Sequence, residues 1–161
     1  LIDIASGIIR KGVSFQLVLV GEKSDLTHVL EEKIRNDGLA SSIIFTGYLP
    51  HKELLAFYKC ASCFCFPSLE EGFGLPVLEA QAAGLPVIAY KCAAVEEIAK
   101  NSALLVNDTG PAFMNALETL IKNPDQLLRL RQAGLSNVSQ YTWKETAKKT
   151  LLAYENIISI S

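Results

Sequence analysis

Apolar runs too short for helices recur along this chain, each followed by a stretch of helical periodicity. That alternation limits what the chain can fold into. FQLVLVG (15–21), SIIFTG (42–47), CFCFPS (63–68), LPVIAY (85–90) and SALLVN (102–107) read as strands buried on both faces. Between them, LIDIASGIIRKG (1–12), HKELLAFYKC (51–60), LPVLEAQAAG (75–84) and VEEIAKN (95–101) read as helices. Pro76 lies in the first turn of the third of these and Gly84 at its end. A further helix is predicted from a cap at Asp25, with Leu26, Val29, Leu30 and Ile34 on its buried face and a stop near Gly38. Strand–helix–strand alternation with continuous apolar strands predicts a parallel sheet covered on both faces, a doubly wound α/β domain. Such domains bind ligands beyond the carboxyl ends of their strands. Helical segments over about 111–122, 124–134 and 143–158 close the chain, with Asn123-Pro124 as a stop and restart. The last places Trp143, Ala147, Leu151, Tyr154 and Ile158 on one stripe, with Trp143 as a core residue or anchor.

With 161 residues, half of them apolar, the chain suits one domain over 1–161 with a sizeable core. A net charge of −2 leaves no footprint for nucleic acid or an anionic membrane surface. No apolar run reaches membrane-spanning length, and no signal segment opens the chain. Because it begins at Leu1, inside a helical pattern, we read it as a piece of a longer protein that lacks the first strand of its sheet. Cys60, Cys63 and Cys65 form CASCFC, and Cys92 stands apart. The Cys-x-x-Cys precedes a strand rather than opening a helix, and His28 and His51 are not spaced as a second zinc pair. Small buried thiols in a reducing cytosol fit better. His28 and His51 read as solvent-facing; Tyr48 could stack on a ligand or pack at its strand end.

The stretch EEGFGLPVLEA (70–80) carries the chemistry. A buried strand ends at Pro67-Ser68, the chain turns through Gly72 and Gly74, and a helix starts near Leu75. Helix N-termini offer unpaired N–H groups and partial positive charge, a ready cradle for phosphate. Glu71 precedes the turn, and Glu79 sits one turn into the helix with its side chain leaning back. Two carboxylates can each accept a vicinal diol around that helix end, which describes a sugar-nucleotide site. An acidic turn in solvent is the bland alternative. A metal pair lacks an Asp or His partner, and a glycosidase-type acid–base pair lacks a local apolar pocket.

PSLEEGFGLPVLEAQAAGLPVIAY followed by VEEIAKNSALLVN resembles the donor-binding domain of retaining GT-B glycosyltransferases of the GT4 type, whose signature is Glu, seven residues, Glu. FTGYLPHKELLAFYKCASCFCFPS and LLRLRQAGLSNVSQYTWKETAKKTLLAYENI resemble that family's approach to the motif and its closing helices. The resemblance implies a hexosyl transfer from a nucleoside-diphosphate sugar to an acceptor hydroxyl with retained configuration, in glycan, polysaccharide or glycolipid synthesis. It implies that Glu71 is the catalytic-site carboxylate holding the transferred sugar, with Gly72, Phe73 and Gly74 contacting the same sugar through backbone N–H groups. Leu75 and Val77 would face the diphosphate, Glu79 would take the ribose diol, and the loop Gly47-Tyr48-Leu49 would receive the nucleobase. Glu70 is a solvent-facing neighbour, and Glu97 fills a structural acidic position. The donor would be a UDP- or GDP-sugar, with no metal and no other cofactor. The partners implied are an N-terminal acceptor domain, toward which the helix over 143–158 packs, and no nucleic acid. The location implied is cytoplasmic, with the full-length protein peripheral to the membrane's cytoplasmic face. The family's diphosphate-neutralising Arg and Lys belong to the first strand and loop, and Arg10-Lys11-Gly12 sits at the wrong sheet edge to replace them. A non-catalytic nucleotide-sugar-binding module and a GT-B sugar-nucleotide epimerase are the alternatives.

Overall fold

The computed structural model describes residues 1–159. In chain order the elements are α1 (Ile2–Arg10), β1 (Leu17–Val20), α2 (Asp25–Asn36), β2 (Ile43–Gly47), α3 (His51–Cys60), β3 (Phe64–Phe66) and α4 (Leu75–Ala82). Then come β4 (Val87–Tyr90), α5 (Ala93–Ala99), β5 (Leu104–Val106), α6 (Pro111–Ile121), α7 (Pro124–Val138) and α8 (Trp143–Ser159). The predicted α/β alternation is therefore present throughout. All recorded strand pairs are parallel: Leu17 lies opposite Ile43, Phe64 opposite Val87, and Ile88 opposite Leu104.

The strands form two ladders, β1-β2 and β3-β4-β5, rather than one. Their order matches strands 3-2 and 4-5-6 of the doubly wound sheet 3-2-1-4-5-6, in which strand 1 stands between the halves. A ladder reaches only one strand spacing, about 4.8 Å. With no strand in the central position among the described residues, β1 and β3 do not pair. Helix α1 ties the halves together. Its Ile4 and Ile8 pack with Ile88, Phe113 and Leu117, while Ala5 packs with Ile34 and Ile43 beside β1. Lys11 reaches Glu118 of α6 at 2.8 Å, and with Lys122 holds that carboxyl down to about 2.

The second core surrounds β4 and the inner face of α4. Val77, Ala80, Val87, Ala89 and Val95 are all fully enclosed there. A buried polar cluster locks α4 against its neighbours. Gln81 is 1 % exposed; its Nε2 donates to Ser102 Oγ at 2.7 Å, and its Oε1 accepts from Asn137 Nδ2 at 2.9 Å. Asn137 Nδ2 also donates to the Ile98 carbonyl at 2.8 Å, which joins α4, α5 and α7.

Several expectations are corrected. Ser24, not Asp25, caps α2: its N–H donates to Thr27 Oγ1 at 2.9 Å. Leu26 and Val29 lie on the solvent face, because the side of α2 that packs on α1 and β2 is the one carrying Thr27 and Ile34. Helix α7 continues past Gly134 to Val138. That glycine is a contact point, since a Cβ there would sit 3.0 Å from Gln81 Cγ. Trp143 is neither core nor anchor: it is 83 % exposed, and the apolar stripe with Leu151, Tyr154 and Ile158 faces solvent with it. Cys63 and Cys65 pack against the core that holds Ile8, Ile88 and Phe113, and Cys60 is exposed.

Candidate functional site

The turn between β3 and α4 forms because the chain must leave a buried strand and restart as a helix within a few residues. Ser68 Oγ donates to the Glu70 carbonyl at 3.0 Å and rounds the first corner. Gly74 closes the turn as the N-cap of α4, with φ +88 and ψ 35. A side chain there would strain the left-handed backbone, and its Cβ would displace Ile98 Cδ1, which would stand 2.9 Å away. The glycine thus serves both a left-handed backbone and a close approach of α4 to α5. Gly72 is different, with nothing within 4 Å of an added Cβ, so its backbone is open to a ligand.

Helix α4 starts with Leu75 and Pro76, both in its first turn. Leu75 is half exposed, and its N–H belongs to the unpaired set at a helix start. Val77 differs from expectation. Its N–H donates to the Gly74 carbonyl at 3.0 Å and the residue is fully buried, so it turns inward rather than toward a ligand. The tightness of the first turn, set by the left-handed cap, is the cause. Phe73 is half exposed on the outer side of the turn. Glu71 is half-buried, Glu79 is exposed, and Glu70 is exposed as expected for a neighbour of the site.

Glu79 has a partner that the sequence did not reveal. The Tyr58 hydroxyl, from α3, donates to Glu79 Oε2 at 3.3 Å. Tyr58 is buried, and its ring stands edge-on to Phe64 of β3, with centroids 5.6 Å apart. Burial, reinforced by the Glu79 charge, pushes the Tyr58 phenol up to about 12, so it stays a donor. Periodicity marked HKELLAFYKC as a helix, but no local pattern told which later helix a tyrosine on it would meet.

The predicted nucleobase loop follows β2. Gly47 has φ +73, and its carbonyl accepts from the Gly21 N–H at 3.1 Å. That bond ties the carboxyl ends of β1 and β2 together. Tyr48 is 72 % exposed, so it does not pack at the strand end. His51 opens α3 and is exposed; His28 is exposed on α2. Arg10, the last residue of α1, pairs with Asp37 at 3.2 Å, and Lys11, which follows it, pairs with Glu118. Glu97 is exposed on α5. Among the described residues no three His, Cys, Asp or Glu side chains gather as a metal-ligand set. The arrangement is a helix start at Leu75, an uncovered glycine at Gly72, a carboxylate before the turn at Glu71 and another on the helix at Glu79. It suits an anion flanked by hydroxyl-bearing groups.

Set beside known proteins, residues 1–123 match the family model described as glycosyl transferases group 1. The chain is 32% identical over 131 residues to the D-inositol 3-phosphate glycosyltransferase of Corynebacterium urealyticum, covering 80% of this chain and 31% of that protein. It is 30% identical, with a TM-score of 0.75, to the C-terminal domain of a glycosyl transferase group 1 family protein from Francisella tularensis, covering 86% of this chain and 75% of that one. It also shares the fold of Anabaena HepE, described in complex with UDP and glucose, at TM-score 0.80 and 18% identity, covering 96% of this chain and 44% of that one. The fold is a doubly wound α/β domain. The chain belongs to the group 1 glycosyl transferases. It spans about a third of the length of the curated relatives it matches. No helix among the described residues is long and apolar enough to cross a membrane.

Proposed function

We propose that this chain is the donor-binding part of a retaining glycosyltransferase. It would hold a UDP- or GDP-sugar while the hexosyl group passes to an acceptor hydroxyl supplied elsewhere in the protein. The observation that carries this reading is the Gly74-capped start of α4, with Glu71 before the turn and Glu79 further along the helix beside Tyr58. Glu71 takes hydroxyls of the transferred sugar, and the backbone of Gly72, Phe73 and Gly74 lies along it. Leu75 and the helix end take the diphosphate. Glu79 takes the ribose diol, and Gly47-Tyr48-Leu49 receive the base. The description of a fold neighbour with UDP and glucose supports a ligand of this class.

Transfer creates negative charge on the departing diphosphate. Fixed donors aimed at that charge stabilise the transition state more than the ground state. The reading invokes no metal: the helix end takes part of the charge, and protein cations facing the turn would take the rest. Its other half is an acceptor domain, consistent with the greater length of the relatives. The four free thiols support a cytoplasmic location. A lipid-borne acceptor would then be met at the cytoplasmic face of the membrane.

Calorimetric titration of UDP- and GDP-sugars tests the reading, with Glu79→Ala as the control. One of the two nucleotide series should bind, and Glu79→Ala should weaken it roughly tenfold or more, the value of losing a charged hydrogen bond. Undiminished binding by Glu79→Ala would end the ribose assignment.

A further inference from the structure

We infer that Tyr58 is a positioning residue for the donor site, setting which face of the Glu79 carboxylate is presented to the ligand. The inference rests on the ribose reading of Glu79 and adds to it a residue outside the motif.

The geometry carries the argument. Glu79 is exposed on α4, where a free carboxylate would sample several rotamers. Tyr58 is 8 % exposed and cannot do so. Its ring is wedged edge-on against Phe64 at 5.6 Å, and Phe64 stacks on Phe66 at 5.8 Å, both in β3. The rigid strand therefore fixes the ring, and the ring fixes its hydroxyl beside Glu79 Oε2, 3.3 Å away. A carboxylate has about four acceptor positions, of which this bond takes one. Glu79 is exposed, which leaves Oε1 and the second lone pair of Oε2 for a vicinal diol. At 3.3 Å the contact is longer than the usual O–H···O range of about 2.5–3.0 Å. It biases the carboxylate without locking it, as in many unliganded sites, where hydrogen bonds tighten on binding. A buried tyrosine hydroxyl also needs an acceptor, so the bond serves both partners.

The test uses the full-length protein and two probe pairs, UDP with 2′-deoxy-UDP and GDP with 2′-deoxy-GDP, taking the pair that binds more tightly. The readout is the ratio of dissociation constants within the pair. Tyr58→Phe keeps the ring and its packing and removes only the hydroxyl. It should lower the ratio roughly three- to tenfold, leave 2′-deoxynucleotide binding unchanged, and add nothing to the loss in a Glu79→Ala background. A wild-type ratio in Tyr58→Phe, alongside a lost ratio in Glu79→Ala, overturns the Tyr58 role and leaves the ribose reading intact. A wild-type protein that does not discriminate, or a Glu79→Ala that discriminates equally, overturns both. A second measurement does not depend on the Tyr58 variant folding. Glu79→Gln should lower the titration point of the Tyr58 phenol, followed by NMR on ring-labelled tyrosine; an unmoved titration overturns the contact.

Discussion

Two glycines of one turn behave differently at the scale of single residues, and the difference is physical. Gly74 has φ +88 and a Cβ there would have to displace Ile98 Cδ1, whereas Gly72 has open space around it. Gly74→Ala is expected to cost about 1–2 kcal/mol for the left-handed backbone, with the steric clash added. Gly72→Ala should stay within about 0.5 kcal/mol. Chemical denaturation of the two variants side by side checks this, and equal midpoints would contradict the geometry. The pattern Glu71-Gly72-Phe73-Gly74 was legible as a turn before a helix, but which glycine lies against Ile98 was not. That depends on α5, which follows about twenty residues later in the chain. The inward turn of Val77 was hidden for a related reason, since a tight first helical turn takes up an N–H that an ideal helix start leaves free.

Elements were predicted well where periodicity was strong and less well where packing decides a face. The strands of the β3-β4-β5 ladder all lie inside the apolar runs read as strands. The buried face of α2 was misassigned, because Leu26 and Val29 satisfy helical spacing but point away from the core. Thr27 takes the inner place, aided by its bond to the Ser24 cap. Likewise, Gly134 reads as a helix stop, yet in α7 it lets the backbone approach Gln81. The Gln81–Asn137–Ser102 cluster clamps α4 from behind and so keeps its N-terminus aimed at the site. Asn137→Ala would leave Gln81 Oε1 without its donor in a buried setting, at an expected cost of about 1–3 kcal/mol. A thermal melt shows the loss. An Asn137→Ala midpoint equal to wild type would show the cluster to be dispensable.

For the whole molecule, the described part of α8 is exposed along its length, and its large apolar residues lie open to solvent with it. Removing residues 143–161 should therefore change the unfolding free energy of the remainder by less than about 1 kcal/mol. Denaturant titration of the shortened chain checks this, and a loss of cooperativity would show that α8 supports the core. Composition and strand–helix alternation by themselves determined the α/β class and the parallel pairing, because each depends on local periodicity. Tertiary structure alone decided that the strands split into two ladders bridged by α1. It also decided that Gly74 rather than Gly72 lies against Ile98, and that Tyr58 meets Glu79. Those outcomes depend on which distant surfaces come within a few ångströms, and no spacing along the chain records that.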